Sequence, residues 1–296
     1  MQGGLPAVAA AEKTGAVNIS AQYTHASGSY GLSSDTTIDA FPITTEYYRG
    51  PWFFKLTAPF VRISGFGTVT MGAAGPIQIS RLAGEGMSGA PEAGLGASNG
   101  DGHGTGAGNG GKMGPHGTKS PNEAEGVTPS TVPRRTESGL GDITIATGYG
   151  FHPFDSNGLL VEASALLKLP TADKDKGLGT GETDLGVQIG LSKPMGLLTP
   201  FLTVGYTVLG DSDRISYNNI LHGSLGVSCA VSDTISATVS YDVRSKATDV
   251  ADPFQELSVA CAKLITRSWK ASLLIAAGLS DAAPDWTGGI SLAISF

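Results

Sequence analysis

The sequence lacks the features that mark thiol or metal chemistry, nucleic-acid binding and helical membrane spans. Its 296 residues include two cysteines, Cys229 and Cys261, and neither has a Cys-x-x-Cys or Cys/His spacing, so we expect no metal and no cofactor. Charged residues make up only 15%, and the net charge of −7 disfavours a nucleic-acid partner. No run of 18 apolar residues occurs, which argues against a transmembrane helix but not against membrane strands.

Helical patterning is also scarce, and an alternating pattern stands in its place. Segments of about 9 to 14 residues alternate between large apolar and small or polar side chains, as β-strands with one apolar face do. In 183–193, for example, Leu185, Val187, Ile189 and Leu191 share one face. The pattern predicts twelve strands, at 16–28, 36–48, 52–64, 141–153, 158–169, 183–193, 198–209, 217–231, 234–245, 254–266, 269–278 and 285–296. Alternation alone fits a β-sandwich equally well.

The connections between the predicted strands favour a barrel over a sandwich. Every second junction is short, at 49–51, 154–157, 194–197, 232–233 and 267–268. The others are longer, at 29–35, 65–140, 170–182, 210–216, 246–253 and 279–284. Short periplasmic turns and long extracellular loops are typical of outer-membrane proteins. We therefore predict an all-β fold, an antiparallel transmembrane β-barrel of about 12 strands in the bacterial outer membrane.

Two segments stand apart from the predicted strands. Residues 1–11 contain small-residue stretches that resemble an export-signal cleavage site without its charged and apolar regions, and we interpret them as a signal remnant or a disordered N-terminus. Residues 12–296 are then one barrel domain, with 65–140 as a Gly-rich extracellular loop insert. Within 84–117, 14 of 34 residues are glycine, so this part is expected to be flexible. Before it, Ile77, Ile79 and Leu82 suggest a short hairpin arm.

Aromatic residues gather near the ends of the predicted strands, as the girdles of membrane barrels do. The residues that we assign to the membrane interfaces are Tyr47, Trp52, Phe54, Phe151, Trp269, Trp286 and Phe296. Core packing in a sandwich is the alternative explanation. The last strand ends on Phe296, which resembles the C-terminal signal that the barrel-assembly machinery recognises.

If the large residues face lipid, the opposite faces of the strands line the lumen. The predicted lumen-lining residues are Glu46, Lys55, Asp142, His152, Glu162, Lys168, Gln188, His222, Asp242 and Arg244. Apposed acids and bases would set a field across a water-filled pore and narrow it. They would equally satisfy a wet interior by bonding to one another. Side chains, or the 65–140 loop folding inward, could close a lumen of this size.

Four stretches carry a resemblance to a known family: LTAPFVRISG (56–65), SGLGDITIATGYGF (138–151), LLKLPTADKDKGLGTGETDLGVQIGLSKPMG (166–196) and LTPFLTVGYTVLGD (198–211). They resemble the MetA-pathway phenol-degradation transporter family of outer-membrane β-barrels. The Gly-rich insert before SGLGD is similar to that family's as well. The resemblance implies a barrel that passes small molecules, aromatic or apolar ones among them, although related barrels are thought to export protein.

Three functions follow from these patterns. The first is a channel for small molecules whose identity is unknown, in contact with outer-membrane lipid and lipopolysaccharide. The second is a secretion pore or surface structural protein that acts through the Gly-rich loop. The third is a barrel-embedded hydrolase, which needs a serine or threonine beside His25, His152 or His222, and no such pair is evident. We therefore predict a channel rather than an enzyme.

Overall fold

The computed structural model describes residues 15–32, 34–79, 134–154, 158–212 and 215–296, and of residues 152–154 only the backbone. The strands are β1 (Ala16–Gly28), β2 (Thr36–Arg49), β3 (Trp52–Gly65), β4 (Val69–Gly72), β5 (Gly75–Gln78), β6 (Arg135–Leu140), β7 (Ile143–Phe154), β8 (Leu159–Leu169), β9 (Asp184–Ser192), β10 (Leu198–Val208), β11 (Ile220–Ala230), β12 (Ile235–Arg244), β13 (Phe254–Leu264), β14 (Trp269–Gly278) and β15 (Trp286–Ser295). A 3-10 turn, Lys174–Lys176, precedes β9. None of the helical structure in the described residues is long and apolar enough to cross a bilayer.

Twelve wall strands form a closed antiparallel barrel, as the alternation and the junction lengths predicted. Each strand pairs with its neighbours in sequence, and β15 closes the wall against β1, with Ala21 opposite Leu292. At the seam, the Phe296 amide donates to the Val17 carbonyl over 2.9 Å. Closure leaves no unpaired strand edge in the wall, which a sheet in a bilayer requires.

The fourth wall strand differs from its predicted form. β6 and β7 both pair with β3, and Gly141 and Asp142 interrupt them. The wall therefore extends into 135–140, which the sequence pattern assigned to the loop insert. β6 carries a single large apolar residue, Leu140, so it shows no alternation, and its pairing with Phe60–Gly65 of β3 defines it as a strand.

The outer and inner faces of the wall have opposite character. Large apolar side chains point outward and are exposed, for example Leu185 at 60% and Ile275 at 70%. The inner positions carry glycine, hydroxyl and charged side chains, many of them partly or fully buried. An exposed apolar surface that surrounds the wall is not stable in water, because soluble proteins keep such patches small. Lipid is the solvent that this outer face fits.

Candidate functional site

The candidate site is the end of the barrel where the long loops lie, which we call the mouth, together with the lumen below it. Strands β4 and β5 form a hairpin from Val69 to Gln78 that is a separate two-stranded sheet. This mouth hairpin belongs to the predicted 65–140 insert. It contains Ile77 of the expected hairpin arm, whereas Leu82 lies outside the described residues.

The hairpin packs against the mouth on several sides. On one side, Val69 shares a buried apolar cluster with inner residues of β1, β2 and β3 and with Leu178 of the β8–β9 loop. On the other side, Ile77 lies in a second cluster with Leu209, Ile220 and Ala247, from the ends of β10 to β12. The hairpin thus lies across the mouth, inside the ring of strand ends.

Arg244, at the end of β12, holds the turn of the hairpin. Its guanidinium donates to the carbonyls of Ala74 (2.5 Å) and Pro76 (2.7 Å) and stacks over the ring of Phe254 at 4.4 Å. Only 6% of this arginine is exposed. Nearby, the Thr248 hydroxyl donates to the Gln78 carbonyl over 2.9 Å.

A buried ion cluster lies on the part of the wall that β7, β8 and β9 form. The Lys168 ammonium is 2.9 Å from Asp142, 3.1 Å from Asp184 and 2.5 Å from the Thr180 hydroxyl. Asp184 also accepts from the amides of Ala73 in the hairpin (3.3 Å) and of residue 210 (3.1 Å). One cation and two carboxylates are therefore linked to the hairpin, and their geometry depends on three adjacent strands and the loop between β8 and β9.

The loops around the mouth carry one fully buried tyrosine, Tyr30, and one partly buried tyrosine, Tyr217. Tyr30, in the β1–β2 loop, is fully buried with a left-handed φ of 48°, and its carbonyl accepts from the Gln78 amide group over 2.8 Å. A positive φ in a non-glycine residue is a strained conformation that surrounding contacts must maintain. Burial raises the pKa of Tyr30, and burial near Asp184 raises the pKa of Tyr217 to about 12, so both phenols stay neutral.

The lumen below the hairpin is polar and charged. Lys55 on β3 lies 3.4 Å from Glu46, directly opposite on β2, and Glu162 on β8 interacts electrostatically with both. Asp242 on β12 lies directly opposite Glu256 on the neighbouring strand β13. Each of these sets, with Arg244 added to the second, combines two carboxylates with one cation, as the Lys168 cluster does. Together these three sets hold more carboxylates than cations.

Aromatic rings also lie inside the wall, over glycines that make room for them. A Cβ at Gly148 would be 2.3 Å from the Phe53 ring, and a Cβ at Gly226 would be 2.5 Å from the Phe201 ring. The His222 ring lies over Gly205 in the same way, and its Nε2 is 3.4 Å from the Thr207 hydroxyl. The lumen therefore offers both charged groups and flat apolar surfaces.

The predicted lumen residues with described side chains lie on the inner face: Glu46, Lys55, Asp142, Glu162, Lys168, Gln188, His222, Asp242 and Arg244. The side chain of His152 lies outside the described residues. The structure joins Glu46 with Lys55 and Asp142 with Lys168, and it places Arg244 apart from these at the hairpin. Sequence reasoning missed Asp184 and Glu256, although each has the parity of the small and polar residues in its predicted strand.

The predicted interface aromatics all lie on the outer face, where they are between 37% and 71% exposed: Tyr47, Trp52, Phe54, Phe151, Trp269, Trp286 and Phe296. Near the short-turn end, Trp52 packs edge-on against Tyr149 at 5.0 Å. Near the mouth, Trp286 contacts the His25 ring at 5.2 Å. Their depth in a membrane remains a prediction.

His25 also has the carboxylate partner that a catalytic histidine needs. Its Nδ1 is 2.8 Å from Asp39 on the outer wall, and Tyr23 donates to the same carboxylate oxygen over 2.9 Å. Within the described part of the chain, however, no serine or threonine hydroxyl is bonded to His25. A nucleophile in contact with the base is the feature that defines a hydrolase site, so this group is better explained as a cross-strand fastening.

Comparisons with known proteins agree with the barrel. Residues 133–267 match the model of a family described as a protein of unknown function, DUF3187. No curated protein sequence matches the chain. Among solved structures, the chain is similar to the COG4313 outer membrane channel from Pseudomonas putida F1, with a TM-score of 0.63, 12% identity and 96% of each chain covered. It is also similar to the NanC porin, with a TM-score of 0.51, 9% identity and 94% and 98% of the two chains covered. At these identities, the likeness establishes the fold of outer-membrane channels and porins.

Proposed function

We propose that the protein is an integral outer-membrane channel, not an enzyme, and that it passes small molecules through the barrel, aromatic or apolar ones among them. The observation that carries the proposal is the contrast between the two faces of one closed wall. The outer face is apolar and exposed, whereas the inner face holds ion pairs, hydroxyls and glycines. A wall of this kind stabilises a polar path through lipid.

The aromatic rings on the inner face support the proposal that the transported molecules include aromatic ones. Phe53 and Phe201 lie against Gly148 and Gly226, where the missing side chains leave room for the rings on the inner face of the wall. Flat aromatic surfaces bind aromatic solutes by offset or edge-to-face packing. The resemblance of the four stretches between residues 56 and 211 to phenol-degradation transporters supports the same class of solute. A secretion pore for protein fits less well, because the mouth hairpin occupies the opening through which a polypeptide would have to pass.

Reconstitution of the purified full-length chain tests this proposal. In planar bilayers we expect discrete conductance steps, and in liposomes we expect faster uptake of phenol-sized solutes than protein-free liposomes show. Liposomes with heat-denatured protein are the second control. Absence of conductance and uptake in the intact protein, in a form lacking 84–117 and in a form with the hairpin shortened would contradict the channel.

The partners proposed for this barrel follow from its two rims. We propose that lipid and lipopolysaccharide surround the outer aromatic residues, and that the barrel-assembly machinery recognises Phe296. Phe296 is 71% exposed on the outer face, beside the seam where β15 meets β1. A recognition signal has to be accessible before the seam closes, and this position satisfies that requirement.

A further inference from the structure

We propose that the mouth hairpin is a displaceable gate and that Arg244 is the latch that holds it closed. This inference rests on the proposed channel function and adds its regulation. In the closed arrangement, the hairpin fills the mouth between the two apolar clusters that contain Val69 and Ile77. Solutes of the proposed class pass when the hairpin leaves this position.

The hairpin can leave without opening the wall, because it shares no strand pairing with it. Within the described residues, β4 and β5 pair only with each other, and every wall strand pairs with wall strands. The hairpin is instead fastened through side chains of the hairpin and the wall. In addition to the bonds from Arg244 and Thr248, these are Thr70 to the Gly177 carbonyl (3.0 Å), the Ala73 amide to Asp184 (3.3 Å) and Gln78 to the Tyr30 carbonyl (2.8 Å).

Arg244 is the strongest of these fastenings. Among these contacts, Arg244 alone supplies a charged donor, and its guanidinium donates to two carbonyls of the hairpin, those of Ala74 and Pro76. Hydrogen bonds from a charged donor are about twice as strong as neutral ones. A carboxylate that could bind the guanidinium is available within the wall, since Glu256 lies on the same inner face of the neighbouring strand β13. Glu256 Oε2 is buried and has no hydrogen-bond partner in the described residues, so it can accept the arginine after the hairpin leaves.

The contact between the hairpin and the wall leaves more polar atoms unpaired than a permanently packed core would. Three buried polar atoms there have no protein partner in the described part of the chain, namely Tyr30 OH, Thr68 Oγ1 and Gln78 Oε1. A buried polar atom without a partner costs free energy, and contact with water after the hairpin leaves removes that cost. These features lower the cost of opening.

The test compares R244A and R244K with the wild type in planar bilayers. We expect the open fraction to rise about tenfold or more in R244A, since one lost bond to a charged donor changes an equilibrium constant by about tenfold. R244K keeps the positive charge but cannot donate to both carbonyls as the guanidinium does, so it should also open more often than the wild type. K270A removes a cation at the start of β14, beside the short turn after β13 and at the other end of the barrel from the hairpin, and it should leave the open fraction unchanged. Heat-modifiable migration in gels checks that each variant is a folded barrel.

Tethering the hairpin provides an independent measurement. In an R244A form whose native cysteines are replaced by serine, A74C and Y217C introduce thiols at positions that pack against the Ile77 cluster. A short cleavable bifunctional maleimide should return the open fraction to the wild-type value, and cleavage should raise it again.

The outcomes separate the gate from the channel. If the wild type and R244A conduct with equal open fractions, and the tether changes nothing, the gate is wrong and the channel stands. If R244A opens but R244K behaves as the wild type, the arginine acts through its charge alone and the latch is wrong. If no form conducts, including one with the hairpin shortened, the proposed function itself fails.

Discussion

Replacing Lys168 by methionine tests whether the ion cluster beneath the mouth stabilises the barrel. Lys168 is 1% exposed and lies between Asp142 and Asp184, at 2.9 and 3.1 Å. Methionine matches the length of the lysine chain without its charge, so the change leaves two buried carboxylates facing each other. Asp184 also accepts the hairpin amide of Ala73, and that contact should loosen as the carboxylates move apart.

The expected loss is large compared with the stability of a barrel wall. Removing one partner of a buried ion pair typically costs about 3–5 kcal/mol, because the remaining charge is uncompensated. Native proteins are stable by about 5–15 kcal/mol, so K168M should shift the midpoint of urea unfolding well outside experimental error. Tryptophan fluorescence of protein folded into lipid vesicles provides the measurement.

Two variants control for the loss of a lysine as such. K176M removes a lysine from an exposed pair with Asp173 at 3.7 Å, and we expect a change below about 0.5 kcal/mol. The triple variant K168M/D142N/D184N removes the unpaired charges as well and should recover part of the loss. Equal stability of K168M and K176M would refute the view that the cluster is a buried, mutually dependent network.

Three further predictions concern packing, assembly and selectivity. G205V should destabilise the barrel by about 1–3 kcal/mol in urea, because its Cβ would lie 2.3 Å from the His222 ring, whereas G190A, with 3.6 Å to its nearest neighbour, should be tolerated. F296D should lower the fraction of heat-modifiable barrel recovered from outer membranes, and wild-type recovery would count against the assembly signal. E46Q should shift the reversal potential in a salt gradient towards anions, because the lumen becomes less negative; an unchanged potential would place Glu46 off the ion path.

The wall could be predicted from the sequence because its two faces meet different solvents. Because of that contrast, large apolar and small or polar residues alternate along each strand. Apart from β6, the observed strand ends differ from the predicted ones by at most three residues, as at Ile220. The same rule assigned Asp142 and Lys168 to the interior. The rule failed at β6, because Arg135–Leu140 has too few large apolar residues to show an alternation. This segment is a strand because it pairs with the second half of β3.

The partners of the inner residues were beyond any local pattern. The alternation along a strand tells which face a side chain occupies. It does not tell the height of the side chain in the barrel, which depends on strand tilt and register. Glu46 and Lys55 sit on a short hairpin, so their pairing follows from the turn between β2 and β3. Arg244 contacts Ala74 across 170 positions of sequence, and nothing near either residue marks the other.

The division between main-chain and side-chain bonds is what relates this fold to its proposed function. The wall is held by strand pairing around a full circle, and none of these pairings involves the hairpin that fills the mouth. The hairpin is held mainly by side chains, of which Arg244 contributes two of the shortest contacts. An element fastened in this way can change position while the wall keeps its shape, because no ladder has to break. A closed mouth over a charged, ring-lined lumen is therefore compatible with transport, provided that the contacts between hairpin and wall are weaker than the wall itself.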